Sequence, residues 1–593
     1  MSSALELTDQ EINQLISKHF PYKEIRNIQQ EAIFKIIKAI VNSNKKYFIL
    51  ECPTGGGKSA IALTVSKILN ALFNERTTIC TSTIALQDQY LKDFPELANL
   101  MGKNNYDCSR KGHNLLKYNE PVCSDLQSLK LCNPRNDCSY VIARDFWQNK
   151  STYRITNTHF MIKAGEQIYS GIEQKAYTEF MVIDEAHTLP NIILSHCSFK
   201  IEPLDLMKIQ INESFNHVLI AEFIKLKDLI LKAFNLAKIQ DADCILKSSS
   251  ELIELSSSIL GLIIRIEDML LEIKEDYKAD YELNNCIPEG SCNSLADYRK
   301  LYSKLRYPTY LNKSLELIEE LHSTYELISI FELEEKVIAK SSSTEFIEIC
   351  PITAKSISEY AILRKSNKFL FMSATICGMN DYIEELGLNP ADVAVLSMNS
   401  PFDIARRKIS YIPVAKFSYA NREEAYNSII KTADKIIAIM HKYYGKPVRG
   451  LIHSGTYSNA EIFKEKSEYS SIIETPKNIR DAIKLMNKKS DNLILCSPTI
   501  YEGIDFKDDL ARFQIIVKVP YDSLTDPLKK YNMKYNSKKY SKEAVVKLVQ
   551  AYGRGTRHEE DYCMTFILDA NFESILYSTQ LPLWVKLAIT KQV

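Results

Sequence analysis

Residues 51–59 read ECPTGGGKS, directly after the apolar run YFILE (47–51) and before the helix-patterned run AIALTVSKIL. Strand, glycine-rich turn and helix start, in that order, are what a phosphate-binding loop requires. Glycines let successive backbone N–H groups face phosphate oxygens, and the helix N-terminus adds positive potential. Pro53, Thr54, Gly55, Gly56, Gly57, Lys58 and Ser59 are the expected cradle for ATP. Lys58 would reach the β and γ phosphates and Ser59 would hold Mg2+. The general pattern has glycine five places before the last glycine of the loop; here that residue is Cys52.

A second acidic element follows about 125 residues later. MVIDEAH (181–187) is an apolar strand that ends in two acids. Asp184 can complete the magnesium shell and Glu185 can accept a proton from an attacking water. Acids at strand ends are common, so the tetrapeptide alone says little. Downstream of a phosphate loop it reads as the other half of a nucleotide site.

These side chains need a scaffold, and the apolar pattern supplies one. Short apolar runs recur at 47–51, 77–81, 180–185, 368–373, 449–454, 492–497, 513–519 and 564–569, each followed by polar or glycine residues. Continuous apolar strands with helical stretches between them predict parallel sheets covered on both faces. Two groups of strands predict two α/β domains, with chemistry at the carboxyl ends of the strands. Between about 195 and 350 the texture changes to helical spacing with charged faces, as in 221–239 and 311–331, with a looser stretch at 281–294. That segment reads as a mostly helical insertion.

Composition narrows the class without choosing a substrate. The chain has 593 residues, too many for one core. Lys plus Arg equals Asp plus Glu at 74 each, so net charge argues neither for nor against nucleic acid. The N-terminus lacks a basic head followed by an apolar run, and no apolar stretch is long enough for a bilayer. The expectation is an intracellular protein with no membrane partner, cytoplasmic in a bacterial or viral setting and nuclear in a eukaryotic one. Of fourteen cysteines, most stand singly in apolar surroundings, but Cys108, Cys123, Cys132 and Cys138 are clustered. Four clustered cysteines in a reducing compartment suggest metal ligands over disulfides. Both zinc and iron–sulfur accept four thiolates; intervening lengths of 14, 8 and 5 residues lack the two Cys-x-x-Cys knuckles of a zinc ribbon.

From about Arg26 to Asp569 the sequence resembles the DEAH-type helicases of superfamily 2, specifically the XPD and DinG branch. The residues that carry this are Arg26 and Gln29 in RNIQQ, TSTIALQDQ (81–89), ITNTHFM (155–161), the DEAH box, FMSATI (371–376), SPFD (400–403), SPTIYEGIDFKDD (497–509) and LVQAYGRGTR (548–557). The resemblance implies an α/β fold with two RecA-like parallel-sheet motor domains, and a metal-cluster insertion and a helical arch in the first. It places Arg26 and Gln29 on the adenine side of the nucleotide. It makes Gln550, Arg554 and Arg557 the second domain's contribution to catalysis, because arginines brought across a cleft stabilise charge developing on the γ-phosphate. Asp505 would couple the nucleotide and nucleic-acid sides. The four clustered cysteines would hold a 4Fe–4S cluster, within a basic segment that includes Lys103, Arg110, Lys111, Lys117, Lys130 and Arg135.

The implied boundaries are 1–102, 146–195 and 351–380 for the first motor domain, 103–145 for the cluster domain, 196–350 for the arch and 381–593 for the second motor domain. The implied activity is ATP-dependent 5′ to 3′ translocation on single-stranded DNA with unwinding of forked duplexes. A translocase that strips proteins with weak unwinding, and a structural subunit with a dispensable ATPase, are the other readings. A fused nuclease is not expected, since the motor starts near residue 20. The basic, aromatic stretch 529–542, with Tyr531, Tyr535 and Tyr540, suits either a single-strand track or a solvated loop. If the cluster reading holds, Cys132→Ser protein should lose iron-dependent visible absorbance and strand separation but keep basal ATP hydrolysis. Full unwinding by iron-free protein would overturn it.

Overall fold

In a computed structural model, residues 7–102, 105–107, 138–166, 177–197, 199–201, 215–239, 245–246, 250–284, most of 311–322, 337–341, 347–416, 422–486, 492–500, 506, 508–524, 526–556, 558, 560–578 and 580–591 are described. The strands, in chain order, are β1 (Tyr47–Glu51), β2 (Thr77–Thr81), β3 (Ala98–Asn99), β4 (Tyr153–Asn157), β5 (Thr178–Asp184), β6 (Phe199–Ile201), β7 (Ile245–Leu246), β8 (Val337–Ser341) and β9 (Ile347–Pro351). They continue with β10 (Ser366–Ser373), β11 (Val393–Ser397), β12 (Ile409–Ala415), β13 (Gly450–His453), β14 (Ile473–Glu474), β15 (Ile494–Ser497), β16 (Phe513–Ile516), β17 (Met564–Asp569) and β18 (Ile589–Lys591). All eight predicted apolar runs are strands.

The first sheet has the order β11-β1-β10-β5-β2-β4-β3 and is parallel throughout. Alternation along each strand feeds two cores. Tyr47 and Ile49 of β1 join Met181 and Ile183 of β5 on one face. Phe48 and Leu50 join Phe180 and Val182 on the other, where the helices Asn27–Val41 and Lys58–Phe73 cover them. Burial on both faces is why these runs are continuously apolar. The second sheet, β14-β15-β13-β16-β17-β12-β18, is also parallel and likewise double-faced. The chain is therefore α/β, with two parallel sheets of seven strands each among the described residues.

Two expectations are corrected. The first motor domain does not stop at residue 380: β11 pairs with β1 along Val393–Ser397 and forms an edge of the first sheet. Its alternating buried and exposed residues make it an amphipathic edge strand, without the continuous apolar signal of the others. The insertion is also not helical alone. Two long helices, His217–Ile239 and Ser250–Asn284, pack through Leu219, Phe223, Leu226 and Ile230 against Ile259, Leu262, Ile266 and Leu270. Beside them stands an antiparallel sheet ordered β6-β9-β8-β7. The helix Ser250–Asn284 runs into the predicted loose stretch, the rest of which lies outside the described residues. No described helix is long and apolar enough to cross a membrane.

The two motor domains meet along the helix Ser537–Tyr552. Glu385, at the end of the first-domain helix Met379–Glu385, sits 2.7 Å from Lys539 Nζ and 3.6 Å from Lys542 Nζ. Lys539 also donates to the Ile352 carbonyl, and Gln580 reaches Asp381. Burial works to raise the Glu385 carboxyl, but the two ammonium groups outweigh it and hold the acid below its ordinary range. Removing one partner of such a pair strands the others in a poorly solvated seam. Glu385→Ala should therefore cost about 3 kcal/mol. Thermal denaturation measures the loss, and adding Lys539→Met should recover most of it; an unchanged midpoint in the single variant would contradict the account.

Candidate nucleotide site

The phosphate loop lies at the carboxyl end of β1, and the helix Lys58–Phe73 begins immediately after it. Gly55 and Gly57 adopt φ of 75° and 78°, a region costly for any residue with a Cβ. At Gly57 a Cβ would also stand 2.1 Å from Gln29 Nε2 and 3.1 Å from Arg26 Nη2. Arg26 Nη1 donates to the Gly55 carbonyl at 2.7 Å, and the Arg26 N–H donates to Gln29 Oε1 at 3.0 Å. Arg26 and Gln29 thus brace the loop that the sequence expected them to accompany. Cys52 is fully buried and packs where a Cβ on Gly56 would meet its sulfur at 2.5 Å. Burial pushes the Cys52 thiol up to about 11, so it stays a neutral, unreactive filler of the loop's underside.

The DEAH box closes the other side. Strand β5 delivers Asp184 buried at its end, and Tyr90 from the helix Ile84–Asp93 donates to Asp184 Oδ2 at 2.8 Å. Glu185 then turns the chain with φ 51°, a left-handed conformation that costs a non-glycine residue on the order of 1 kcal/mol. The turn brings Glu185 Oε1 to 3.8 Å from Lys58 Nζ. Two adjacent carboxyl groups and one ammonium leave an excess of negative charge. Burial, with the neighbouring Glu185 charge, pushes Asp184 up to about 6 from its ordinary 3.8. That donor set fits a divalent cation: an oxygen ligand held ready, short of positive charge, beside a phosphate cradle and the Ser59 hydroxyl side chain at the helix start.

His187 links this half-site to the other domain. Its Nδ1 lies 2.8 Å from Ser373 Oγ at the end of β10 and 3.4 Å from Glu185 Oε2. Its Nε2 lies 2.8 Å from Gln550 Nε2 on the helix Ser537–Tyr552. Burial lowers the imidazole to about 4, so the ring is neutral at neutral pH. A neutral ring that accepts from the Gln550 amide at Nε2 carries its proton on Nδ1, where Ser373 Oγ can accept it. Ser373 Oγ in turn accepts from the Thr375 N–H at 3.0 Å. Close by, Gly553 abuts the phosphate loop so tightly that a Cβ there would meet Thr54 Oγ1 at 2.6 Å.

The structure therefore gathers Arg26, Gln29, Gly55, Gly56, Gly57, Lys58, Asp184, Glu185 and Gln550 around one cleft. Arg554 follows in the turn after the helix, its carbonyl accepting from the Phe506 N–H at 3.3 Å. Arg557, Asp505, Cys108, Cys123 and Cys132 lie outside the described residues, as do Lys103, Arg110, Lys111, Lys117, Lys130 and Arg135. Cys138 is half-buried at the start of the helix Ser139–Asp145. The stretch 529–542 is not a loop, and half of its lysines are engaged within the protein. It forms parts of two helices, Pro527–Tyr535 and Ser537–Tyr552. Lys529 is paired with Glu543 at 2.6 Å, Lys539 and Lys542 with Glu385, and Tyr540 stacks on Tyr521. Tyr535 remains exposed, with Lys534 over its ring. Sequence reasoning missed Tyr90, His187, Ser373 and Gly553; all but Tyr90 lie inside motifs already marked.

Comparison with known proteins agrees with this geometry. A family model described as the helicase C-terminal domain matches residues 427–588, and one described as the type III restriction enzyme, res subunit, matches 22–223. The protein named 3′-5′ exonuclease DinG of Staphylococcus aureus strain bovine RF122 / ET3-1 is 23% identical over 92% of this chain and 68% of its own length. The protein of that name in strain MRSA252 is 23% identical over 89% of this chain and 65% of its own. The chain thus spans about two thirds of these relatives' length. Among solved structures, XPD_Helicase superposes with a TM-score of 0.54 at 15% identity, covering 96% of this chain and all of that one. XPD_APO gives 0.52 at 16% identity, again over 96% of this chain.

Two parallel sheets sharing a phosphate loop, a DEAH box and a cross-cleft glutamine define a superfamily 2 helicase motor. The matched helicase domain, the DinG relatives and the XPD-like fold support an ATP-dependent helicase of the XPD/DinG type.

The raised Asp184 carboxyl has a measurable consequence in nucleotide-free, metal-free protein. Its folded state holds the proton more tightly than the unfolded chain, so ionisation costs stability as pH rises from about 4 through about 6. Asp184→Asn removes that cost while its amide oxygen still accepts from Tyr90. The variant should be more stable than wild type by on the order of 2 kcal/mol above pH 7, with the gain roughly halved by pH 5. Denaturant titrations at both pH values decide it; a gain that does not depend on pH would show that Asp184 is not the group responsible.

Proposed function

We propose that the chain hydrolyses ATP with Mg2+ and couples each turnover to 5′ to 3′ movement along single-stranded DNA, opening forked duplexes as it goes. The observation that carries this is the 2.8 Å contact between Gln550 of the second domain and His187 of the DEAH box. A group that senses the hydrolytic residues is thereby fixed to the helix that moves with the other sheet. Lys58 and the loop amides hold the β and γ phosphates, and Arg26 and Gln29 face the base. Ser59 and Asp184 would hold magnesium, which would supply positive charge against the phosphates. Glu185 accepts the proton of the attacking water, presented by its left-handed turn beside Lys58 and His187. Arg554 and Arg557 approach from the second domain and stabilise charge on the γ-phosphate.

Because catalysis needs residues from both sheets, hydrolysis depends on closure of the cleft and its products favour opening. DNA bound across both domains would bias the same equilibrium. The polarity, the forked substrate and a 4Fe–4S cluster on Cys108, Cys123, Cys132 and Cys138 accompany this reading by resemblance to the family.

The test is ATP hydrolysis by anaerobically purified protein with and without single-stranded DNA. Wild type should be stimulated by DNA and Glu185→Gln should be inactive in both. Gln550→Ala should lose most of the DNA stimulation, about tenfold, while KM for ATP stays within about twofold. No response of wild type to DNA would overturn the proposed substrate, and equal stimulation of Gln550→Ala would overturn the coupling route.

A further inference from the structure

Glu51 closes β1 and is the residue from which the phosphate loop departs. Its backbone is fixed on both sides. It stands in register with Ser373 of β10 and Ser397 of β11. Its carbonyl accepts from the Met398 N–H at 2.9 Å, and the next residue, Cys52, donates to the Ser373 carbonyl at 2.9 Å. The side chain belongs to none of the groups assigned to the nucleotide. It reaches instead to the chain leaving β10, where Oε1 accepts from the Cys377 N–H at 3.3 Å. Burial pushes this carboxyl up, and the backbone N–H groups of Cys377 and Ile376 work against that by favouring the charged form.

The turn that Glu51 holds is strained. Cys377 has φ of 53° and Gly378 φ of 101°, two successive left-handed residues, and the first of them carries a Cβ. A residue in that state persists where its surroundings determine it. Two contacts do so here. One is Glu51 on the backbone N–H. The other is the Cys377 side chain, 1% exposed, which joins the apolar core that contains Ala544, Val545 and Leu548 of the helix Ser537–Tyr552. Every other described buried member of that core lies at residue 409 or beyond, so Cys377 is a first-domain side chain set into the second domain. The same turn starts the helix Met379–Glu385. From that helix Tyr382 donates its hydroxyl to the Ala186 carbonyl of the DEAH box at 2.9 Å, and Lys542 Nζ lies 5.6 Å over its ring. Glu385, at its end, is the acid gripped by Lys539 and Lys542.

We propose that Glu51 is a positioning residue: its carboxylate pins the left-handed turn at Cys377 to the root of the phosphate loop, and so sets the register of the second motor domain against the nucleotide. Without that acceptor the turn relaxes toward ordinary φ, Cys377 withdraws from the second domain's core, and the helix bearing Tyr382 and Glu385 loses its fixed start. This link is separate from the Gln550–His187 contact. That contact ties the second domain to the DEAH box, whereas Glu51 ties it to the phosphate loop. The kinetic consequence rests on the proposed coupling of hydrolysis to domain closure; the consequence for the turn rests on geometry alone.

Two readouts on the full-length protein test this, with thermal melts to verify folding. The first is alkylation by N-ethylmaleimide without nucleotide, followed peptide by peptide by mass spectrometry. Cys80, fully buried in the first domain's core, is the internal control. Glu51→Ala should speed alkylation of Cys377 about tenfold and leave Cys80 protected. Glu51→Gln, which keeps an oxygen at the same reach, should protect Cys377 as wild type does. The second readout is steady-state ATP hydrolysis with single-stranded DNA. Glu51→Ala should lower kcat about tenfold with KM for ATP within about twofold, and Glu51→Gln should keep most of the rate. Wild-type protection of Cys377 in a folded Glu51→Ala protein overturns the inference. So does equal exposure of Cys80, which would mean general loosening, and so does a Glu51→Gln protein no better than Glu51→Ala. If Glu51→Ala fails to fold, Glu51→Asp decides: its carboxylate falls one methylene short of the Cys377 N–H, and wild-type behaviour in both readouts overturns the inference. If wild type turns over no ATP with DNA, the proposed function falls, and the alkylation rates alone uphold or overturn the anchor.

Discussion

Asp184 and Glu185 stand side by side at the end of one strand, one buried and one held in a left-handed turn, with the Lys58 ammonium 3.8 Å away. Like charges this close in a medium of low dielectric are costly to keep ionised. The fold accepts that cost because the phosphate loop is fixed one strand-pair away, across β10 from β5. The groups that answer the negative charge are Lys58, the loop amides, the arginines of the second domain and a divalent ion. Each of them arrives from a different element. The site is consequently balanced only when the elements are together and the nucleotide is in place, and this links charge neutralisation to domain arrangement.

The helix Ser537–Tyr552 turns that electrostatic condition into mechanics. Near its beginning Lys539 and Lys542 grip Glu385 of the first domain; near its end Gln550 meets His187. One rigid rod of 16 residues thus touches the first domain at two separated places. The ion pair is buried enough to persist, whereas the Gln550–His187 contact is a single neutral hydrogen bond worth about 1 kcal/mol. A strong contact and a weak one on the same rod make a pivot and a moving end. Changes at the DEAH box act at the weak end, farthest from the pivot, and the arginine-bearing turn lies just beyond it.

How much of this was legible in the sequence follows from the range of the interactions. Local signals were sufficient for the loop, the DEAH strand and the eight apolar runs, because each depends on residues adjacent in the chain. Edge strand β11 was missed because an edge needs only one apolar face. The pairing of Lys539 and Lys542 with Glu385 is not legible in the stretch 529–542, because Glu385 is far away in sequence and nothing local to either reports it. Tyr90 was invisible for the same reason: its partner Asp184 is 94 positions on. Patterns report which face of an element is buried; they do not report which distant side chain meets it.

Gly553 shows what the motif pattern does encode once the partner is known. Its φ is ordinary, so the backbone itself does not demand glycine. The demand comes from Thr54 of the phosphate loop, whose Oγ1 would lie 2.6 Å from any Cβ at that position. A side chain there would wedge the second domain away from the nucleotide and carry Arg554, the next residue, with it. The glycine sets the distance between two domains, while Gly555, packed against Cys563, fixes the backbone on the far side of Arg554. Two glycines on one short turn thus hold the backbone on both sides of the arginine, one against the phosphate loop of the first domain and one against the second domain's own core.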